Sequence, residues 1–193
     1  CRLPAALPPA PAKIDGRDHQ NGGPGEQRPF QQAPPLFHAV LHDDPARWAD
    51  QNVYLTVKHQ FVAPGISANR PGWHSDGFLT DDLNYIWCDA LPTLFNFSPF
   101  TLTPDHDISM IEMERQAKPA FDIVYPVNTL LKLDQYVIHR VQEVLEPMWR
   151  TFVKISISPE QYNLKGNTRN HALSYDWPMQ ERTSTRNHPV KKL

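Results

Sequence analysis

Alternation of apolar and polar positions is the dominant pattern in this chain, and it predicts strands. Residues 53–62 set Val53, Leu55, Val57 and Phe61 against Tyr54, Thr56, Lys58 and Gln60, the period of two that a half-buried strand requires. Residues 151–158 repeat it, with Val153, Ile155 and Ile157 on one face and Phe152, Lys154 and Ser156 on the other; Arg150 falls in phase with the second set. Residues 84–96 read as an aromatic-rich strand, residues 129–139 as a strand of mixed polarity ending at His139, and residues 122–125 as a short strand before a turn at Pro126-Val127-Asn128. A short helix is expected after Asp43-Asp44, where acids suit a helix N-terminus and Pro45 suits the first turn. Residues 102–116 fit either helix or strand.

Composition agrees with a strand-and-loop protein. The 193 residues suit one domain with appendages, and 20 prolines against 8 glycines leave room for few helices. We expect an irregular Pro/Gly-rich arm over residues 1–35, a β-barrel over 36–160 and a basic extension over 161–193. That extension carries Lys165, Arg169, Arg182, Arg186, Lys191 and Lys192. It suits an anionic partner such as a nucleotide, but a solvated tail explains it as well, and no motif supports nucleic-acid binding. A formal net charge of −2 excludes bulk electrostatic attraction to polyanions.

No stretch approaches a membrane span and no signal-peptide pattern is visible. Cys1 and Cys88 make a poor disulfide pair, so a reducing cytoplasm is the expected setting. A lipid-modified Cys1 on a proline tether is the competing reading. Oligomeric state is left open.

Candidate chemistry centres on Trp73-His74-Ser75-Asp76-Gly77. In an extended chain alternate side chains share a face, so His74 and Asp76 can reach one metal while Ser75 points away. A helix would set them roughly 200° apart. Pro71 and Gly72 break any helix before the pair, and Gly77 permits a bend after it. His139, 63 residues beyond Asp76, supplies a second imidazole, and a closed sheet brings such remote segments together. Two imidazoles and a carboxylate on one face of a divalent ion leave the opposite face open. Arg150, eleven residues after His139, offers a fixed forked cation for a carboxylate, with Lys154 as its rival. Asp105-His106-Asp107 competes for the metal but would put two acids and no imidazole on one strand face, and a solvated turn is preferred.

His74-x-Asp76, a distant His139 and Arg150 shortly after it resemble the signature of the Fe(II)/2-oxoglutarate-dependent dioxygenases. Gly72-Trp-His-Ser-Asp-Gly-Phe78, His139-Arg140 and Trp149-Arg-Thr-Phe-Val-Lys-Ile-Ser156 are similar to the phytanoyl-CoA-hydroxylase-like and small phage or bacterial members. The resemblance implies a double-stranded β-helix, a jelly-roll or cupin-like barrel. It implies Fe(II) on His74, Asp76 and His139, with 2-oxoglutarate paired to Arg150. It also implies a small-molecule substrate, nucleotide-like or amino-acid-like, hydroxylated with dioxygen and release of succinate and carbon dioxide; Asp76 disfavours halogenation. Further cosubstrate contacts are expected from Tyr85 and Asn96, with Tyr54 on the preceding strand. The alternatives are a cupin-type metal isomerase or hydrolase that uses no 2-oxoglutarate, and a non-enzymatic barrel binding module.

Overall fold

The computed structural model describes residues 33–66, 68–168 and 176–182, and the protein is mainly antiparallel β-sheet with few short helices. Helices α1 (Ala33–Asp43) and α2 (Pro45–Asp50) precede β1 (Asn52–Val62). Then come β2 (Leu83–Cys88), β3 (Thr93–Asn96), α3 (His106–Gln116), β4 (Asp122–Val124), β5 (Leu131–Leu133), β6 (His139–Val141) and β7 (Met148–Ser158). One sheet has the order β1-β7-β2-β5 and the other β4-β3-β6. The chain divides into two compact units, residues 1–58 with 153–193 and residues 59–152.

In the first unit, α2 forms as its sequence predicts. The Asp44 carboxylate accepts from the Arg47 amide at 3.1 Å, and Pro45 occupies the first turn. Helix α1 already begins at Ala33, so the Pro34-Pro35 pair assigned to an irregular arm opens a helix, as prolines in a first turn can. Phe37 packs edge-on against buried Trp48, ring centroids 5.8 Å apart. Residues 1–32 of the expected arm lie outside the described residues. So do Arg169, Arg186, Lys191 and Lys192 of the extension, in which Lys165 pairs with Glu181.

In the second unit a core joins the two sheets: Ile86 and Cys88 of β2, Leu133 of β5 and Phe152 of β7 pack with Phe95 of β3. The opposite face of the second sheet, through Leu94 and Ile138, packs against Met113 of α3 with Trp73 and Phe78. Residues 102–116 are thus settled as helix from His106. The Asp105 carboxylate caps it by accepting from the Asp107 and Ile108 amides, both at 2.9 Å; a helix cap replaces the expected solvated turn.

Two segments expected as single strands are each split between the sheets. Residues 84–96 become β2 and β3, broken at a turn where Leu91 takes φ 47°. Residues 129–139 become β5 and β6, broken where the Asp134 carboxylate accepts from the Tyr136 amide at 2.8 Å and the Asp134 carbonyl from the Val137 amide at 3.3 Å. An aspartate turn is compatible with any hydropathy pattern around it, so alternation alone did not reveal the break. The short strand at 122–125 forms as β4, and Asn128 makes its turn with φ 62°.

The turn after Asp76 depends on Gly77. Its φ is 77°, and a Cβ there would sit 2.5 Å from the Cβ of Asp82. Gly65 has φ 79° with open space around it. Gly77→Ala should therefore cost about 2–5 kcal/mol and Gly65→Ala only about 1–2 kcal/mol in urea unfolding, since only the first adds overpacking to the left-handed strain. Equal losses would contradict the steric assignment.

Candidate metal centre

Residues 59–152 bring His74, Asp76 and His139 together. His74 and His139 form an antiparallel bridge: the His74 amide donates to the His139 carbonyl at 3.0 Å and the His139 amide to the His74 carbonyl at 2.8 Å. Residues paired this way project their side chains to the same side, and the imidazole centroids lie 4.7 Å apart. Two residues on, at the start of the turn, Asp76 directs Oδ2 to within 3.8 Å of His139 Nε2. One donor atom from each residue lies within 4.8 Å of the others, so the three could hold a metal ion.

Both imidazoles are locked in one tautomer by the same local device. His74 Nδ1 lies 2.9 Å from the Gly72 carbonyl and His139 Nδ1 lies 3.0 Å from the Val137 carbonyl. A carbonyl only accepts, so each Nδ1 carries its proton, and in the neutral form of either ring Nε2 keeps the lone pair that a metal would take. Burial, reinforced by the charges of His139 and Arg70 and opposed by Asp76, pushes His74 down to about 3. His74 is consequently neutral across the physiological range, the state in which an imidazole can bind a metal.

Neighbouring elements fix the bridge. The Glu114 carboxylate of α3 accepts from the Trp73 amide at 3.1 Å, and the Arg140 guanidinium lies 4.5 Å from the Trp73 ring centroid on the ribbon face opposite the two imidazoles. The Thr80 amide and hydroxyl both donate to the Gly77 carbonyl, at 2.9 and 2.6 Å, closing the turn that carries Asp76. The Phe95 ring lies 5.9 Å from the His139 ring.

Arg150 is buried to 1 % exposure in the same unit, and among the described residues its side chain hydrogen-bonds backbone carbonyls and Cys88. Its Nε donates to the carbonyls of Ala90 and Leu91, each at 3.1 Å, and its guanidinium lies 4.9 Å from the Phe152 ring centroid. Burial pulls its pKa below the usual arginine value, with the neighbouring Cys88 and Asp89 acting against that shift. Nη1 is buried with no acceptor. An unsatisfied cationic donor in the interior is costly, and a bound carboxylate removes the cost. Cys88, whose thiol burial pushes up, hydrogen-bonds the same guanidinium. The rival cation, Lys154, is only partly buried and belongs to the other unit.

The remaining expected site residues are placed differently. Tyr85 is buried, but it is one residue out of phase with Ile86 and Cys88 and lies under Lys132, 5.7 Å from its amino group. The amide of Asn96 donates to the Lys118 carbonyl at 3.0 Å and the Asp122 carboxylate at 2.6 Å, while its oxygen accepts from the Ser98 amide at 3.0 Å. By the β3–β6 register Phe95 shares a face with His139 and Asn96 does not. Tyr54 belongs to the other unit, stacked on Tyr162 at 3.8 Å, its hydroxyl donating to the Glu160 carbonyl at 2.9 Å and accepting from the Tyr162 amide at 3.1 Å.

Sequence reasoning missed Arg70, Glu114 and Cys88. Arg70 acts electrostatically on both Asp76 and His74, and its position just before the Pro71-Gly72 break was the available signal. Cys88 carried none, because its meeting with Arg150 depends on a cross-strand register. No family model, curated protein or solved structure matches the chain. The structure shows a mainly antiparallel β-protein with a His74-Asp76-His139 group that could hold a metal ion, and no narrower class. Among the described residues no helix is long and apolar enough to cross a membrane.

The depressed His74 value sets a pH dependence. Between about 6.5, the unfolded value, and about 3 the unfolded chain binds a proton that the folded one refuses, so stability falls as pH drops through that window. From about pH 6.5 to about pH 5, metal-free protein should lose about 2 kcal/mol that His74→Gln does not lose, at about 1.4 kcal/mol per pH unit. Urea midpoints at the two pH values measure the difference. Identical slopes in the two proteins would contradict a buried, neutral His74.

Proposed function

We propose that this protein is an Fe(II)- and 2-oxoglutarate-dependent oxygenase built on a double-stranded β-helix. The carrying observation is the grouping of two Nε2-presenting imidazoles and one carboxylate within 4.8 Å. Three protein donors of this kind suit a divalent iron and leave coordination positions for a chelating cosubstrate and dioxygen.

The residues fit both groups. His74, Asp76 and His139 would hold the iron, and the acceptor-less Nη1 of Arg150 would pair with the distal carboxylate of 2-oxoglutarate. Bound together, Fe(II) and 2-oxoglutarate supply the oxidising power that inserts one atom of dioxygen into a substrate C–H bond, with succinate and carbon dioxide as co-products. The chain's own work is positional. The Gly72 and Val137 carbonyls keep each Nδ1 protonated, Asp76 would supply negative charge at the ion, and the Ala90 and Leu91 carbonyls hold Arg150 by Nε, leaving Nη1 for a carboxylate. Burial of His74 and His139 keeps water from the imidazoles.

Anaerobic titration with Fe(II) and 2-oxoglutarate should produce the weak visible charge-transfer absorption of the chelate, and turnover should release succinate. Arg150→Ala should raise the KM for 2-oxoglutarate at least about tenfold, since removing one partner of a buried charged pair costs about 2–5 kcal/mol, while Fe(II) affinity stays unchanged. Metal-loaded protein without the absorption would overturn the assignment. An Arg150→Ala variant with undiminished activity would favour a cupin-type isomerase or hydrolase.

A further inference from the structure

We infer that the open edge of β4 is a two-fold interface with a second copy of this chain, centred on Val124. This inference is independent of the proposed chemistry. Among the described residues, strand β4 pairs with β3 alone and lies at the edge of its sheet. Natural edge strands are commonly blunted by lysines or inward charges; β4 carries no lysine, and its one charge, the Asp122 carboxylate, is engaged by the Asn96 side-chain amide at 2.6 Å. Phe121, Ile123, Val124, Tyr125 and Val127 are 43, 43, 46, 38 and 37 % exposed.

The register explains why the occupant is a copy. The Phe97 amide donates to the Phe121 carbonyl at 3.1 Å and Phe95 pairs with Ile123, so alternation turns the amide and carbonyl of Val124 toward the open edge. An antiparallel copy with its axis at Val124 would form two reciprocal bonds, Val124 amide to Val124 carbonyl. The same axis sets Ile123 opposite Tyr125, and Tyr125 opposite Ile123, aliphatic-on-aromatic cross-strand pairs of a stabilising kind. Asp122 faces Pro126, and neither brings an unmatched donor: the Asp122 amide already donates to the Pro119 carbonyl, and proline has none. Phe121 and Val127 stand symmetrically, three residues either side of the axis. The segment is therefore self-complementary about one residue, and Pro119 and Pro126 limit the ladder that a longer extended peptide could build on it.

The area sets the strength. Five side chains exposed to this degree, with Phe97 and the adjoining backbone, could bury at most about 500 Å² per copy, or about 1,000 Å² in all, the low end for specific interfaces, so the expected dimer is weak, with a dissociation constant on the order of micromolar.

Sedimentation equilibrium of the full chain tests this. At about 100 μM, above a micromolar dissociation constant, the weight-average mass should approach twice 22.2 kDa, and at about 1 μM it should move toward the monomer. Val124→Lys and Val124→Glu, each checked for folding by circular dichroism, should weaken association at least about tenfold, because like charges meet across the axis, and an equimolar mixture of the two should restore it. In the unsubstituted protein, the peptide containing Val124 should exchange its amide hydrogens more slowly at the higher concentration. A monomer at 100 μM, a dimer indifferent to both substitutions, a mixture that fails to re-pair, or Val124 exchange independent of concentration would each overturn the interface.

Discussion

Everything at the metal centre depends on one reciprocal pair of main-chain hydrogen bonds, between His74 and His139. Antiparallel pairing is the simplest way for two residues 65 positions apart to present side chains side by side without either segment belonging to a long strand. It fixes the imidazoles 4.7 Å from centroid to centroid. The carbonyl two residues before each histidine then determines its tautomer. Neither imidazole needs a dedicated side-chain partner, because the backbone that brings them together also orients them.

Supporting this bridge are elements with apolar reasons of their own. Helix α3 packs Met113 against Trp73, Phe78 and Ile138, the last of which immediately precedes His139, and its Glu114 grips the Trp73 amide. The ribbon that carries the two histidines is thus held from the face opposite their imidazoles. Within residues 59–152 the other imbalance is Arg150, a guanidinium anchored by neutral carbonyls, with Asp89 acting on it only through its charge and Nη1 left without an acceptor among the described residues. Leaving such a donor unmatched in the interior costs free energy. The guanidinium cradle reaches the histidines through side chains: Phe152, beneath Arg150, shares a core with Phe95, which meets the His139 ring.

Much of this was legible in the residues. Alternation located β1 and β7, the Asp44-Pro45 signal located α2, and the His74-x-Asp76 spacing with Pro71, Gly72 and Gly77 around it foretold an extended segment followed by a bend. The rest was hidden for physical reasons. Splitting residues 84–96 and 129–139 between two sheets turned on short aspartate and leucine turns whose hydropathy matches that of a continuing strand. Tyr85 and Asn96, both expected to contact the cosubstrate, alternate onto the strand faces opposite Cys88, which meets Arg150, and Phe95, which pairs with His139. A period of two converts a one-residue error into the opposite face. Cys88 and Glu114 owe their roles to tertiary register, which no local pattern encodes.

The central claim is that three side chains converge on one divalent ion, and Mn(II) is a suitable redox-stable probe of it. Isothermal titration of the full chain should give one bound Mn(II) per chain, with replacement of His74, Asp76 or His139 by alanine each abolishing that binding in a folded protein. Failure of the unsubstituted chain to bind, or binding that survives loss of His139, would contradict the account.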